Sequence, residues 1–324
     1  MDFSDVSDDH YRKHLQNIDV HPIFILGLHR SGTSILYKML VETGAFNAVT
    51  AYHLINYNKL LVNHLHGTEE QAKQTLDAFF QRSQQDRGID NLSLTADFPE
   101  EYGFLLGRRT IAMNITRGNK DLFIELAQKI QFIAENNKPL LLKNPYDFSN
   151  FLYIKKEFPQ ATFVFIHRHP FAVLSSTMKA MRLLLNGKNP YTTELFRLYD
   201  ILFDHPLLLA LSRCLVNSLS SLGVCLYALL SAASTRYYLK NIARLPPCDY
   251  IAITYEQLCA DPQTTMNDIL DFLHISPPKP IDFTRFIKPR KTTLDFSVTH
   301  MKRFIYTYMK RYFRAFKYSH KIEE

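Results

Sequence analysis

The sequence predicts an α/β fold of three layers, with helices on both faces of a central parallel sheet. Three observations carry this expectation. Four short runs, residues 22–26, 139–143, 162–167 and 249–254, are almost continuously apolar rather than alternating, as strands buried on both faces are. Each is followed by a segment of helical character, so strand and helix alternate along the chain. With 324 residues, 46% of them hydrophobic, the chain can also bury one large core.

Taken in order, residues 22–26 form the first strand and run into a Gly/Ser turn that opens a helix over 35–43. A polar, His-rich helical stretch follows to about Arg82, then a turn-rich segment, 85–99. Residues 121–136 have helical periodicity, 139–143 form a buried strand and 147–158 a helix. The strand 162–167 ends in Arg168, and Pro170 suits the first turn of the helix after it, with His169 just before. The last strand, 249–254, precedes two helices divided at Asp261-Pro262, and no internal repeat or low-complexity tract is present. Residues 207–233 are strongly apolar, and 214–233 hold no charge. That is long enough to cross a bilayer, but serines, Asn217 and Gly223 dilute it and Arg213 and Arg236 flank it. A buried or groove-lining helix is favoured over a span.

Four cysteines, Cys214, Cys225, Cys248 and Cys259, lack C-x-x-C spacing, and no signal peptide precedes the first strand. Reduced thiols and a cytoplasmic location are expected. Asp2, Asp5, Asp8 and Asp9 make residues 1–20 an acidic, solvated arm. From Arg285 to Lys321 stand eleven Lys or Arg and one acid, Asp295, so this segment carries +10 of a net charge of +7 and the rest −3. Charge confined to one segment, without an RNP-type motif or helix-turn-helix signature, argues against nucleic acid as a partner.

The chemistry is concentrated at the strand ends. Gly27 and Gly32 have the spacing of a Walker A loop, yet Thr33 stands where that motif has lysine, and the nearest fixed cation is Arg30 inside the loop. A loop opening a helix binds an anion, here one other than the triphosphate of ATP. Lys143 and Arg168 end the next strands. An Asp to hold Mg²⁺, as a metal-dependent NTPase needs at one of these ends, stands at none of them. The sequence therefore points to a polyanion handled by cationic side chains. Arg168 with Ser176, eight residues on, can grip a second phosphate. A salt-bridged arginine and a helix-buried serine would explain that pair alone equally well.

Together, residues 27–34, the Arg168…Ser176 pair and residues 253–258 with Asp261-Pro262 resemble the sulfotransferases that use 3′-phosphoadenosine 5′-phosphosulfate, closest to the branch with tyrosylprotein and many bacterial enzymes. The resemblance runs over about residues 20–290. It implies a P-loop NTPase-like α/β/α domain over 21–297, with helical insertions at about 57–110 and 183–240 and a basic amphipathic C-terminal helix over 298–324. It also implies the phosphosulfate compound as co-substrate, with no metal. Arg30 and the loop residues Gly27, His29, Ser31, Gly32, Thr33 and Ser34 would hold the 5′-phosphosulfate, and Arg168 and Ser176 the 3′-phosphate. Tyr255 lies in the third motif, Lys288 and Arg290 in a basic loop that closes over the nucleotide. Lys143, in Leu142-Lys143-Asn144-Pro145, would neutralise the bridging oxygen. His169 departs from the family's Asp, which touches a helix-cap contact more than the nucleotide site.

For the base the resemblance points about twenty residues past the loop arginine, and His53 lies near that distance; a histidine suits proton abstraction from an alcohol. His29 is the first competitor, Glu100 or Glu101 the second. A non-catalytic nucleotide binder and a P-loop kinase using Arg30 remain as competing functions. The acceptor site would be walled by residues 52–82, 92–109 and 183–233, rich in Leu, Phe, Tyr and His. That composition suits a small hydrophobic or amphipathic, lipid-like alcohol. In the C-terminal helix Val298, Met301, Ile305, Tyr308, Met309, Tyr312 and Phe316 form one stripe flanked by cations. The stripe can dock on the domain or make a peripheral membrane contact, docking being the commoner arrangement.

Overall fold

The structure, a computed structural model, describes residues 7–82, 94–287 and 293–320. After a 3₁₀ segment, Asp8–Leu15, the chain runs β1 (Pro22–Leu26), α1 (Thr33–Val41), β2 (Asn47–Ala48), α2 (Ala51–Ile55), α3 (Leu60–Leu65) and α4 (Glu69–Arg82). Then come α5 (Gly103–Thr110), α6 (Lys120–Ala134), β3 (Leu140–Lys143), α7 (Phe151–Glu157), β4 (Thr162–His167) and α8 (Pro170–Asn186). The helices α9 (Pro190–Leu195), α10 (Arg197–Asp204), α11 (Pro206–Val216) and α12 (Leu222–Asn241) precede β5 (Tyr250–Thr254). The chain closes with α13 (Tyr255–Ala260), α14 (Pro262–Phe272), α15 (Phe296–His300) and α16 (Lys302–Ala315).

The strands form one parallel sheet in the order β2-β3-β1-β4-β5. Its two faces are filled separately because side chains alternate along a strand. Phe24, Leu26, Leu142, Phe163 and Phe165 enter one core cluster, and Ile23, Ile25, Leu141, Val164 and Ile166 the other. The four predicted strands are present, 162–167 at its expected bounds; the two-residue edge strand β2 gave no sequence signal. Strand β1 lies centrally, with Ile25 beside Lys143 of β3 and Leu26 beside Phe165 of β4. The carboxyl ends of these three strands lie along one edge of the sheet, the edge at which an open α/β sheet binds its ligand.

Two sequence expectations change. The N-terminal segment is docked from Ser7 on rather than solvated: Asp8 is buried, accepts from the Val62 amide and pairs with the buried Lys129 at 2.9 Å. The apolar run 207–233 is two helices, broken between Val216 and Leu222, where α12 comes so close that a Cβ on Gly223 would stand 2.4 Å from the Leu215 carbonyl. Among the described residues no helix is long and apolar enough to cross a membrane. The C-terminal stripe docks on the domain, the arrangement favoured from sequence, with Ile305, Met309, Tyr312 and Phe313 buried as α16 packs along α12. Tyr308 falls outside it, 45% exposed.

Candidate functional site

The loop after β1 is built for close backbone approach. A Cβ on Gly27 would stand 2.4 Å from the Ile166 carbonyl and 2.6 Å from Ser31 Oγ. Gly32, the N-cap of α1, has φ +107°, and a Cβ there would meet the Tyr255 ring at 2.4 Å. Only glycine satisfies both demands. Arg30 itself sits at φ +66°, so the turn is tight on either side of Ser31. No side chain caps α1, so its leading N–H groups and dipole face the loop. Ser31 Oγ is buried without a hydrogen-bond partner among the described residues. A buried unsatisfied hydroxyl beside a helix N-terminus fits an anion that supplies the missing acceptor.

Two further cations converge on the loop. Arg30 Nε donates to Ser176 Oγ at 3.0 Å, and Arg168 Nη1 donates to the Arg30 carbonyl at 3.0 Å. The Arg168 guanidinium lies 4.1 Å above the Tyr255 ring, whose edge faces Gly32. Arg30 and Gly32 of the loop are thus brought together with Arg168, Ser176 and Tyr255 from three other places in the sequence. His169 caps α8: its Nδ1 accepts from the Phe171 amide at 3.3 Å, while Nε2 bonds the Ser319 carbonyl. Desolvation lowers its pKa below 6.5, which keeps Nδ1 an acceptor. Lys288 and Arg290 lie outside the described residues.

Lys143, fully buried at the end of β3, donates to Ser34 Oγ at 3.0 Å and pairs with Glu101 Oε1 at 2.9 Å. Ser34 opens α1 behind the anion loop and Glu101 stands just before α5, so one cation joins the loop to the opposite wall. A network that the sequence did not reveal fixes the turn after Lys143. Asp147, buried, accepts from the Tyr102 hydroxyl (2.6 Å), Asn150 Nδ2 (2.7 Å), Asn144 Nδ2 (2.8 Å) and the Ile115 amide (3.0 Å). Burial raises its pKa, and these donors oppose that rise. The network also sets Tyr146, whose ring meets His29 edge-on at 4.4 Å. The only sequence trace of it is the polar Asn144…Asp147 turn after an apolar strand.

The candidate bases separate. His53 Nδ1 accepts from the Thr50 amide at 3.0 Å, and the Thr50 hydroxyl accepts from the His53 amide, which completes a capping box on α2. Its pKa is pushed down to about 3, first by desolvation and then by Lys73, against Asp97. These neighbours share no member with the Lys143 surroundings. His29 reaches the surface, yet desolvation by the atoms crowded around it is the main cause lowering its pKa; Glu101 opposes this, and Lys143 and Arg30 add to it. Glu100 is fully buried and accepts from the Tyr191 hydroxyl at 2.8 Å, leaving Glu101 as the carboxylate that faces Lys143.

The segments expected to wall the acceptor do meet. Tyr191 packs against Phe80 at 5.4 Å as well as bonding Glu100, Phe104 approaches Phe196 at 6.5 Å, and Arg108 donates to the Glu194 carbonyl.

A model of the sulfotransferase family matches residues 22–215. Two curated proteins, the omega-hydroxy-beta-dihydromenaquinone-9 sulfotransferases Stf3 of Mycobacterium bovis and Mycobacterium tuberculosis, are each 26% identical over 173 residues, 48% of this chain and 44% of theirs. The chain therefore spans less than half the length of these relatives. Among solved structures, sulfotransferase STF9 from Mycobacterium avium superposes with a TM-score of 0.60 at 14% identity, over 96% of this chain and 81% of that one. STF1 from Mycobacterium tuberculosis gives 0.56 at 16%, over 94% and 80%. At such identities these two structures speak for the fold.

Proposed function

The chain belongs to the sulfotransferase family, and we propose that it moves a sulfuryl group from 3′-phosphoadenosine 5′-phosphosulfate to the hydroxyl of a small lipid-like acceptor. The observation that carries this reading is the buried Lys143, bonded at once to Ser34 behind the anion loop and to Glu101 on the acceptor wall. The donor contributes an activated sulfur whose bond to the bridging phosphate oxygen breaks as the acceptor oxygen–sulfur bond forms, the electron pair leaving with 3′-phosphoadenosine 5′-phosphate. Arg30 and the loop amides hold the phosphosulfate, and Arg168 with Ser176 the 3′-phosphate. Lys143 neutralises the departing oxygen. Glu101, rather than His53, accepts the acceptor's proton: it lies 2.9 Å from Lys143, whereas a His53 pKa near 3 and its helix-cap bond suit it poorly to the task. The apolar walls, and a curated relative named for a hydroxylated menaquinone, support a lipid-like alcohol.

Equilibrium binding and labelled-sulfate transfer test the reading. We expect 3′-phosphoadenosine 5′-phosphate to bind tightly without Mg²⁺ and ATP weakly; tight Mg-ATP binding indifferent to a 3′-phosphate would overturn it. Lys143→Ala should cut turnover about a hundred- to a thousand-fold, and Glu101→Gln by a comparable factor, with His53→Ala nearly unchanged. Should His29→Asn abolish turnover and Glu101→Gln spare it, the proton goes to His29 instead.

A further inference from the structure

The helices α11 and α12, which hold none of the residues proposed to bind the donor, carry an apolar surface. Leu207 is 83% exposed, Leu219 82%, Leu211 69% and Leu222 68%, with Leu208, Leu226, Leu229 and Leu230 each exposed by 43% or more. On α11 the exposed positions 207, 208, 211 and 214 share one face; on α12 the positions 222, 226, 229, 230 and 233 do. The opposite face of α12, Val224, Ala228, Ala232 and Tyr238, is buried, so the outward leucines are not needed for packing. Single exposed leucines are ordinary on a soluble surface, but eight within residues 207–230 form a patch that calls for a partner.

The charges around the patch say which partner. Between Asp204 and Asp249 the chain holds no acid and four cations, Arg213, Arg236, Lys240 and Arg244. Helix α16, packed along α12, has no acid and exposes Arg303, Lys310, Arg311 and Arg314. The acids at the entry to α11, Asp200 and Asp204, are both paired with Lys188. A second copy seated symmetrically on the patch would bring like cations together around its edge. A bilayer with anionic headgroups accepts leucines below and cations at the phosphates. We infer that the α11–α12 leucine face, with the α16 cations beside it, docks this protein on the surface of an anionic lipid bilayer without crossing it. The membrane contact, the less favoured alternative for the C-terminal helix, thus falls to its neighbour, since the apolar stripe of α16 is already buried. The inference does not rest on the donor or on transfer, but it would bring a lipid-like acceptor to the protein.

Flotation of the full chain with vesicles tests it, with no turnover needed. The protein should float with phosphatidylcholine vesicles containing phosphatidylglycerol, less with phosphatidylcholine alone, and less as salt rises. The double variant Leu219→Asp/Leu222→Asp, at an exposed turn position and the exposed first residue of α12, should lower partitioning about tenfold or more while binding 3′-phosphoadenosine 5′-phosphate like the parent, which reports that it folds. Should that variant be unstable, Arg311→Glu on the outer face of α16 should weaken binding to anionic vesicles alone. Absence of flotation overturns the inference. So does flotation that the leucine variant leaves intact, or a dimer in sedimentation velocity that the same variant splits.

Discussion

Lys143 has no exposed surface, and Leu207 has 83% of its own. The strand ends bury charge: Lys143 against Glu101, and Arg30 and Arg168 half-buried around one loop. The α11–α12 pair exposes apolar surface on the outside of the same domain. Each inverts the usual sorting of residues, and such inversions are the informative ones, because folding alone does not select them. On the reading proposed above, the charges at the strand ends are pre-placed for an anion, and the leucines on the helices for a medium other than water.

The largest effect expected from this comparison is at Lys143. Removing one member of a buried ion pair leaves the other uncompensated, so Lys143→Met should destabilise the fold by about 3–5 kcal/mol. The double variant Lys143→Met/Glu101→Gln should recover most of that loss, although it cannot restore turnover. Urea unfolding of the two single variants and the double variant measures the coupling. Additive costs would mean that the pair is solvated and that the strand ends hold no buried charge.

Next come two glycines, one in the loop at the strand ends and one in a surface connection. At Gly32 a Cβ would strike the Tyr255 ring at a φ of +107°, whereas at Gly187, between α8 and α9, it would meet nothing within 4 Å and the backbone is extended. Gly32→Ala should cost about 1–3 kcal/mol and weaken binding of 3′-phosphoadenosine 5′-phosphate. Gly187→Ala should be neutral or stabilise by up to about 1 kcal/mol. Equal shifts in the two unfolding midpoints would show that the loop is no more constrained than a surface connection.

The same contrast explains what the sequence could tell. The loop was legible because its constraints are local: Gly27, Arg30 and Gly32 fall within six residues, and Lys143 and Arg168 end apolar runs. Their convergence also followed, since parallel strands deliver their ends to one edge. The partner of Lys143 was not decided by spacing, because Glu101 lies between α4 and α5 and reaches the site only through the packing of α5. His53 looked suited to proton transfer by its position, but its ring is taken up by a capping box that sequence alone does not distinguish from a catalytic placement. The apolar run 207–233 misled for a related reason. Its composition does not show where α11 ends, nor which face of α12 turns inward; the close contact at Gly223 and the docking of α16 decide both.

Between the two regions lies His167 at the end of β4, under α16. Its Nδ1 is bonded to the Tyr312 hydroxyl at 3.0 Å, its ring packs 4.0 Å from that of Phe316, and Nε2 is buried without a partner among the described residues. Desolvation pushes its pKa down to about 3. A folded-state pKa below the unfolded value of 6.5 means that the unfolded chain binds more protons in between. The stability held above pH 6.5 is therefore lost progressively as pH falls toward 3. His167→Phe removes this titration at the expense of one hydrogen bond, about 1 kcal/mol at pH 7. Its unfolding free energy should fall less steeply between pH 6 and pH 4 than that of the parent. Parallel profiles would place the acid sensitivity elsewhere, with His53 the other deeply lowered histidine.

The smallest effect is the most pointed, because it separates two neighbours on α12. Ala228 is fully buried on the inner face, and Leu229 is 43% exposed on the outer one. Ala228→Leu adds volume where α12 is already packed and should cost about 1–3 kcal/mol. Leu229→Gln exchanges residues of similar helix propensity and removes apolar area that water already reaches, so it should change stability by no more than about 0.5 kcal/mol. Thermal unfolding in the absence of lipid measures both. A loss of more than about 1 kcal/mol at Leu229 would mean that its side chain packs within the fold. The outer face of α12 would then be structural, and the contrast with the buried charges at the strand ends would fail on that side.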